Sequence, residues 1–238
     1  MKALAIAKKD ILIYYSKGPV VIFGILLPIF LFLAFWIGRD LPLDFLMAGL
    51  IAMTVFFAST SVSPVIAPWE GQMRTLERLL TYPIDVKTII LGDIIASSIF
   101  GVLLSAIPLV IAFGVGIPIN PLIILGIVIS AVCFSSLGLL FSAYPSNIPA
   151  TVMMISALVR FPMIFISGIF IPIDNLPEFG KILAFLSPLT YFTDIARFCV
   201  GLKSFFPVYM DFAVLIGYTL LLFALSVKLH EKALLKRI

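Results

Sequence analysis

The sequence predicts an all-α membrane protein built as a single domain of six transmembrane helices over residues 1–238, and three observations lead there. Hydrophobic residues make up 62% of the chain and charged residues only 12%, where a soluble domain carries about 25% charged residues. The apolar residues are gathered into long runs divided by short turns rich in Pro, Asn and Asp. A hydrocarbon core about 30 Å thick takes roughly 20 apolar residues per helical crossing, so a chain of this length holds about six or seven crossings and no ordinary soluble domain beside them. The net charge of +4 sits at the ends of the apolar runs rather than in stripes interleaved with stacking aromatics, which argues against nucleic acid as a partner.

The first element lies between Lys2 and Lys17. Leu4, Ile11, Leu12 and Tyr15 recur at helical spacing while Lys2, Lys8, Lys9 and Asp10 occupy the remaining surface, the pattern of a helix lying in the membrane interface. These charges also break up any signal-peptide core, so the N-terminus is expected to be retained. The first span runs from Pro19 to about Gly38 and turns through Arg39, Asp40, Pro42 and Asp44 into the second, about Phe45 to Pro68. The third spans about Thr88 to Gly116, the fourth about Leu122 to Ala143, the fifth about Ile148 to Ile171 and the sixth about Val208 to Val227.

The longest connection, Pro172 to Pro207, contains the apolar stretch Ile182 to Leu202, interrupted by Pro188, Asp194 and Arg197. Charge placement decides whether this stretch crosses. With six spans, Lys2, Lys8, Lys9, Lys17, Arg74, Arg78, Lys87, Lys228, Lys232, Lys236 and Arg237 share one side, against Arg39, Lys181, Arg197 and Lys203 on the other. Positive residues stay in the cytoplasm, so both termini are expected there, in a multi-pass protein of the cell membrane. A seventh crossing would export the basic C-terminus. The stretch therefore reads as short helices that dip into, or rest on, the outer leaflet.

Residues Trp69 to Asp93 form the largest cytoplasmic connection. Met73, Leu76, Leu79 and Leu80 line one face of a helix, Glu70, Arg74, Glu77 and Arg78 the other, and Pro83 stops it. Glu70–Arg74 is an attractive pair at four residues' spacing and Arg74–Arg78 a repulsive one, so the charged face gains little from itself and is free for a partner. Within the membrane, Arg160 lies near the middle of span five, where an arginine costs about 2.5 to 3.5 kcal/mol, and it is expected to face a pathway, a subunit interface or an acid. Asp93 is the acid nearest at hand. Pro28, Pro64, Pro108, Pro149 and Pro162 interrupt the spans, shaping packing or providing hinges.

Several chemistries are missing. Cys133, Cys199 and the single His230 have no partners at metal-ligand spacing. The phosphate-cradling run Gly-x-x-x-x-Gly-Lys-Ser/Thr does not occur. ATP hydrolysis, if it drives this protein, therefore belongs to another polypeptide. A membrane-embedded enzyme would need a nucleophile, base or metal ligands at depth, and a stand-alone secondary transporter or channel would need coupling acids or paired discontinuous helices. Only Asp93 and Asp211 are available for the latter, which leaves it as the alternative reading.

Two segments carry a resemblance to a known family. GQMRTLERLLTYPIDVKTIILGD resembles the loop after the second span in permease subunits of the ABC-2 family of ATP-binding-cassette transporters, and SGIFIPIDNLPEFGKILAFLSPLTYFTDIAR is similar to that family's connection between the fifth and sixth spans. The family's frequent Gly before the Thr-Leu-Glu run is replaced here by Met73 and Arg74. The resemblance implies that Trp69 to Tyr82 is a coupling helix contacting a separate ATPase subunit through Glu70, Arg74, Thr75, Leu76, Glu77 and Arg78. It further implies re-entrant helices closing an extracytoplasmic exit, with Ser167, Gly168, Pro172, Pro177, Pro188 and Arg197 at the gate. ATP and magnesium would be bound by the ATPase, with no cofactor on this chain. Two permease subunits, identical or related, would enclose the pathway of an exporter.

Overall fold

In a bilayer every backbone N–H and C=O must find its partner within the protein, and a helix achieves this segment by segment. All regular secondary structure in the computed structural model, which describes residues 2–15, 17–37, 41–75, 81–82 and 84–237, is accordingly helical. Helix α1 (Lys2–Tyr14) leads into α2 (Gly18–Val21), a π-turn (Ile22–Leu26) and α3 (Leu27–Trp36), which together form the first apolar segment. Helix α4 (Leu43–Val62) breaks at Ser63–Val65 and continues as α5 (Ile66–Gln72). Next come α6 (Val86–Gly114), α7 (Leu122–Ser142) and α8 (Pro149–Ile166), then a 3₁₀ turn (Ile173–Asn175), α9 (Glu178–Phe185), α10 (Pro188–Cys199) and α11 (Val208–Arg237).

Among the described residues, five helical stretches are long and apolar enough to cross a membrane: Leu43–Gln72, Val86–Gly114, Leu122–Ser142, Pro149–Ile166 and Val208–Ala233. Counting α9 and α10, bent by 93° at their junction, as one broken span gives six. The first apolar segment is helical from Gly18 to Trp36, with a shorter apolar helix at Gly24–Ala34. The expected boundaries hold to within a few residues at most ends. The largest shift is at the sixth span, where α11 runs on to Arg237 past the expected Val227, and the next is at α8, which stops at Ile166 because the chain turns at Ser167–Gly168, where Gly168 has φ +82°.

Helix α4 is apolar all round, and every residue from Leu46 to Val62 is buried. Such a helix can only be central. It packs against α6, α7, α10 and the first apolar segment. Its aromatic spine continues into neighbouring helices: Phe56 meets Phe134 of α7 edge-on at 5.1 Å, and Phe134 meets Phe192 of α10 at 6.1 Å. Edge-to-face pairs of this kind add roughly 0.5–1.5 kcal/mol beyond area burial. Helices α8 and α11 are peripheral and expose wide apolar faces, including Met154, Leu158, Leu220 and Leu221.

Of the prolines, Pro108 and Pro162 lie inside helices, Pro149 opens α8 and Pro64 sits in the break after α4. Pro149 is therefore a helix start rather than an interruption, since a first-turn N–H has no intrahelical partner to lose.

Candidate functional site

One end of the molecule is built where α1 lies across α5 and α6. Ile6, Ala7, Asp10 and Tyr14 form the buried face of α1, and Leu4, Ile11 and Leu12 point outward. This reverses part of the expected pattern: Tyr15 is buried, and Asp10 belongs to the packed face rather than the exposed one. The approach to α6 is close enough that a Cβ on Gly92 would stand 2.7 Å from Ile6 Cβ and 2.9 Å from the Ala3 carbonyl. Only a residue without a side chain lets α1 seat here. Tyr15 donates its hydroxyl to Ser97 at 2.9 Å, and Tyr14 stacks on Trp69 at 5.3 Å with Lys17 over the indole at 4.3 Å.

Between these aromatic contacts lies a cluster of charges. Lys9 pairs with Glu70, which is only 1% exposed, and with Asp10 at 2.9 Å. Asp10 in turn faces Asp93 of α6 carboxyl to carboxyl. Burial alone would lower the Lys9 pKa, but the Glu70 and Asp10 carboxylates beside it reverse that and raise it. Burial raises Asp10 above the ordinary carboxylate range, and Lys9 offsets this only in part. Three carboxyl groups, Glu70, Asp10 and Asp93, thus gather around one ammonium, and Lys9 is the cation that offsets their mutual repulsion.

The connection that follows is not the continuous helix expected over Trp69–Tyr82. Helix α5 begins earlier, at Ile66, and stops at Gln72, where Arg74 takes a left-handed conformation with φ +53°. The position that often holds glycine in the resembling family is thus a positive-φ arginine, held partly by Thr75 Oγ1 donating to the Glu70 carbonyl at 3.3 Å. Gln72, Met73 and Arg74 are exposed at this knuckle, and Glu70 is enclosed beneath it. The charged face expected to be free for a partner is therefore divided, with Glu70 committed to α1. Leu76, Glu77 and Arg78 lie outside the described residues, as does Pro83.

Arg160 and Asp93 do not meet. Arg160 is 1% exposed, and its Nη1 donates to the Thr60 carbonyl at 2.9 Å and to Thr60 Oγ1 at 3.2 Å. Thr60 stands four residues before Pro64, whose missing N–H leaves that carbonyl without its helical partner. A buried orphan carbonyl costs about 1–3 kcal/mol, and a guanidinium is a strong substitute donor. Arg160 thus ties peripheral α8 to the break between α4 and α5.

At the opposite end, Arg197 donates to the Gly168 carbonyl and lies over the Phe45 ring at 4.6 Å. Ser167 donates to Ile164 at 3.0 Å, and Pro172, Pro177 and Pro188 stand at the starts of the 3₁₀ turn, α9 and α10. Asp194 accepts from the backbone N–H groups of Phe205 and Phe206 at 2.8 and 2.7 Å. Of the predicted gate residues, Gly168 and Arg197 therefore meet, Ser167 caps the end of α8, and the prolines set helix starts. Lys9, Asp10, Gly92, Thr60 and Asp194 did not stand out in the sequence as a set. The signals were an aspartate one turn before Tyr14, a Gly-Asp step inside an apolar span and a Thr four residues before Pro64. Among the described residues, no group of three or more His, Cys, Asp or Glu side chains is arranged to hold a metal ion.

Residues 2–200 match the family described as ABC-2 type transporter. The chain is 28% identical over 185 residues to the inner membrane transport permease YadH of Escherichia coli K12, covering 74% of this chain and 70% of that protein. The YadH protein of Shigella flexneri matches equally. ABC transporter G family member 20 of Dictyostelium discoideum is 27% identical over 199 residues, 80% of this chain but 27% of that larger protein. With its several apolar helices this is a multi-pass membrane protein, and the chain belongs to the ABC-2 type transporter family.

Proposed function

We propose that this chain is the permease subunit of an ATP-driven exporter of hydrophobic or amphipathic molecules, in which two permease subunits enclose the pathway and a separate ATPase supplies the energy. Both termini lie in the cytoplasm, and the knuckle at Gln72–Thr75 with the segment to Tyr82 is the ATPase contact. The observation that carries this reading is the knuckle's construction. Exposed Met73 and Arg74 stand directly on buried Glu70, which α1 grips through Lys9, so a push on the knuckle is delivered to α1, α5 and α6 together. Families of this kind normally work with an ATP-binding subunit, and no phosphate-binding loop occurs in the sequence.

In this reading Arg74, Thr75, Leu76, Glu77 and Arg78 meet the ATPase, which also binds ATP and magnesium, while Glu70 acts from beneath. Arg160 and Asp93 transmit rather than bind: one holds α8 to the α4–α5 break, the other backs α1. The Gly168–Arg197 contact, beside Ser167 and with Pro172, Pro177 and Pro188 starting the flanking helices, holds the extracytoplasmic exit closed.

Gentle solubilisation of native membranes should recover a P-loop ATPase with the chain, and Arg74→Ala with Glu77→Ala should release it while leaving the chain's own fold intact. Recovery of the chain without any ATPase, in several mild detergents and in nanodiscs, would sink the reading.

A further inference from the structure

The first apolar segment and α6 both pack on α4 but make few contacts with each other. They approach at Gly24, where a Cβ would meet Phe100 at 3.2 Å and Leu104 at 3.6 Å. Beside that level a cavity of about 240 Å³ lies between them. Two backbone irregularities flank the gap: the π-turn at Ile22–Leu26, and Pro108, which lacks the N–H that would bond the Leu104 carbonyl. Isolated π-turns within helices are frequent at functional sites.

The cavity's floor is Leu50 and Thr54 of α4, 5% and 6% exposed, and Thr54 spends its hydroxyl on the Leu50 carbonyl at 2.7 Å. The lining is otherwise apolar side chains, with no charged group for a ligand's headgroup. Its rim is Ile29, Ile107 and Ile111, all more than a third exposed on the outer surface of helices that cross the membrane. From Gly24 to Phe32 the lining rises about 12 Å along the helix axis at 1.5 Å per residue. The space is thus a slot parallel to the helices, and it is larger than the roughly 150 Å³ engineered cavity that stays dry and takes up benzene.

We propose that this slot is a binding site for one acyl chain of a bilayer lipid, which enters sideways past Ile29, Ile107 and Ile111 and leaves its headgroup outside. A chain surrounded by hydrocarbon has no hydrophobic gain in entering, so selection rests on packing: a linear aliphatic fits between two helices that cannot close on each other. The lipid acts as a wedge that holds the first segment apart from α6.

The test is photo-crosslinking of the full chain in nanodiscs of phosphatidylcholine carrying a mid-chain diazirine. Adducts on peptides containing Gly24–Leu33 and Leu104–Ile111 should exceed those on the lipid-exposed Leu220–Leu221 of α11 at least threefold per exposed area. Leu50→Phe or Thr54→Phe, which fill the slot, should abolish the excess. Labelling of the unaltered chain that follows surface exposure alone would overturn the proposal without recourse to any variant. An unchanged excess in both filled variants would also overturn it. The excess should persist while ATP is turned over in membranes holding the whole transporter; loss of label during turnover would mark the occupant as cargo and overturn its assignment as a resident lipid.

Discussion

The two ends of this molecule use buried charge in opposite ways. At the end that carries α1, side chains answer side chains: Lys9 holds Glu70 and Asp10, and Asp10 shares its space with Asp93. At the other end, side chains answer the backbone: Arg197 takes the Gly168 carbonyl, and Asp194 takes the N–H groups of Phe205 and Phe206. Backbone groups do not titrate and are fixed by the chain's path, so the second arrangement locks a loop. The first joins separate helices through groups whose charge balance rests on one lysine, so it can be loosened as a unit. In the proposed reading the first end receives the ATPase's push and the second stays closed.

This contrast is best broken at Lys9. Lys9→Met leaves Glu70 and Asp10 without their cation, and removing one partner of a buried pair costs about 3–5 kcal/mol; because the Lys9 side chain is 27% exposed, the lower end, about 3 kcal/mol, is expected. Thermal unfolding in nanodiscs reads the loss, and Trp69 emission in a Trp36→Phe background reads the undocking of Tyr14 and Lys17. Adding Glu70→Gln should restore much of the stability, and no restoration would mean the pair is not the source.

Asp194→Ala should cost roughly 2–3 kcal/mol through the stranded N–H groups of Phe205 and Phe206, while leaving Trp69 emission unchanged. If emission moves, the two ends are not independent. Gly92→Ala should cost about 1–2 kcal/mol as overpacking and shift Trp69 emission, because the new methyl group pushes against Ile6 and the Ala3 carbonyl; a silent variant would contradict the close seating of α1.

The smallest effect is with pH. Asp10 has its pKa raised by burial, so its protonated form favours the docked state. That contribution is complete below the unfolded value of about 3.9 and is lost as pH rises through the raised folded value. Lys9, also raised, contributes below its unfolded value of about 10.4 and adds no slope near neutrality. Trp69 emission should therefore report looser docking as pH rises above the ordinary carboxylate range, and Asp10→Asn should flatten that response while Asp194→Asn leaves it. An Asp10→Asn chain with the full slope would show that another group carries the proton.

Most of the helical frame was legible in the sequence because hydropathy and turn residues act locally. The runs from Leu43, Val86 and Leu122 had to be helices in lipid, and Pro188, Asp194 and Arg197 marked a stretch unsuited to a straight crossing, which the structure bends by 93°. The proposed ATPase-contact segment was legible only in part. Both halves of Trp69–Tyr82 are amphipathic at helical spacing, so periodicity runs through the knuckle at Arg74 without registering it.

The sequence by itself determined the all-helical membrane fold, the order of its elements and the family, since each follows from the length and polarity of contiguous runs and from residues in fixed order. Tertiary structure alone decided which charges meet. Glu70 went under α1 rather than outward, and Arg160 went to Thr60 rather than Asp93, because a buried charge is claimed by whichever group its neighbours leave unsatisfied. For Arg160 that group was a carbonyl made vacant by a proline nearly one hundred residues earlier.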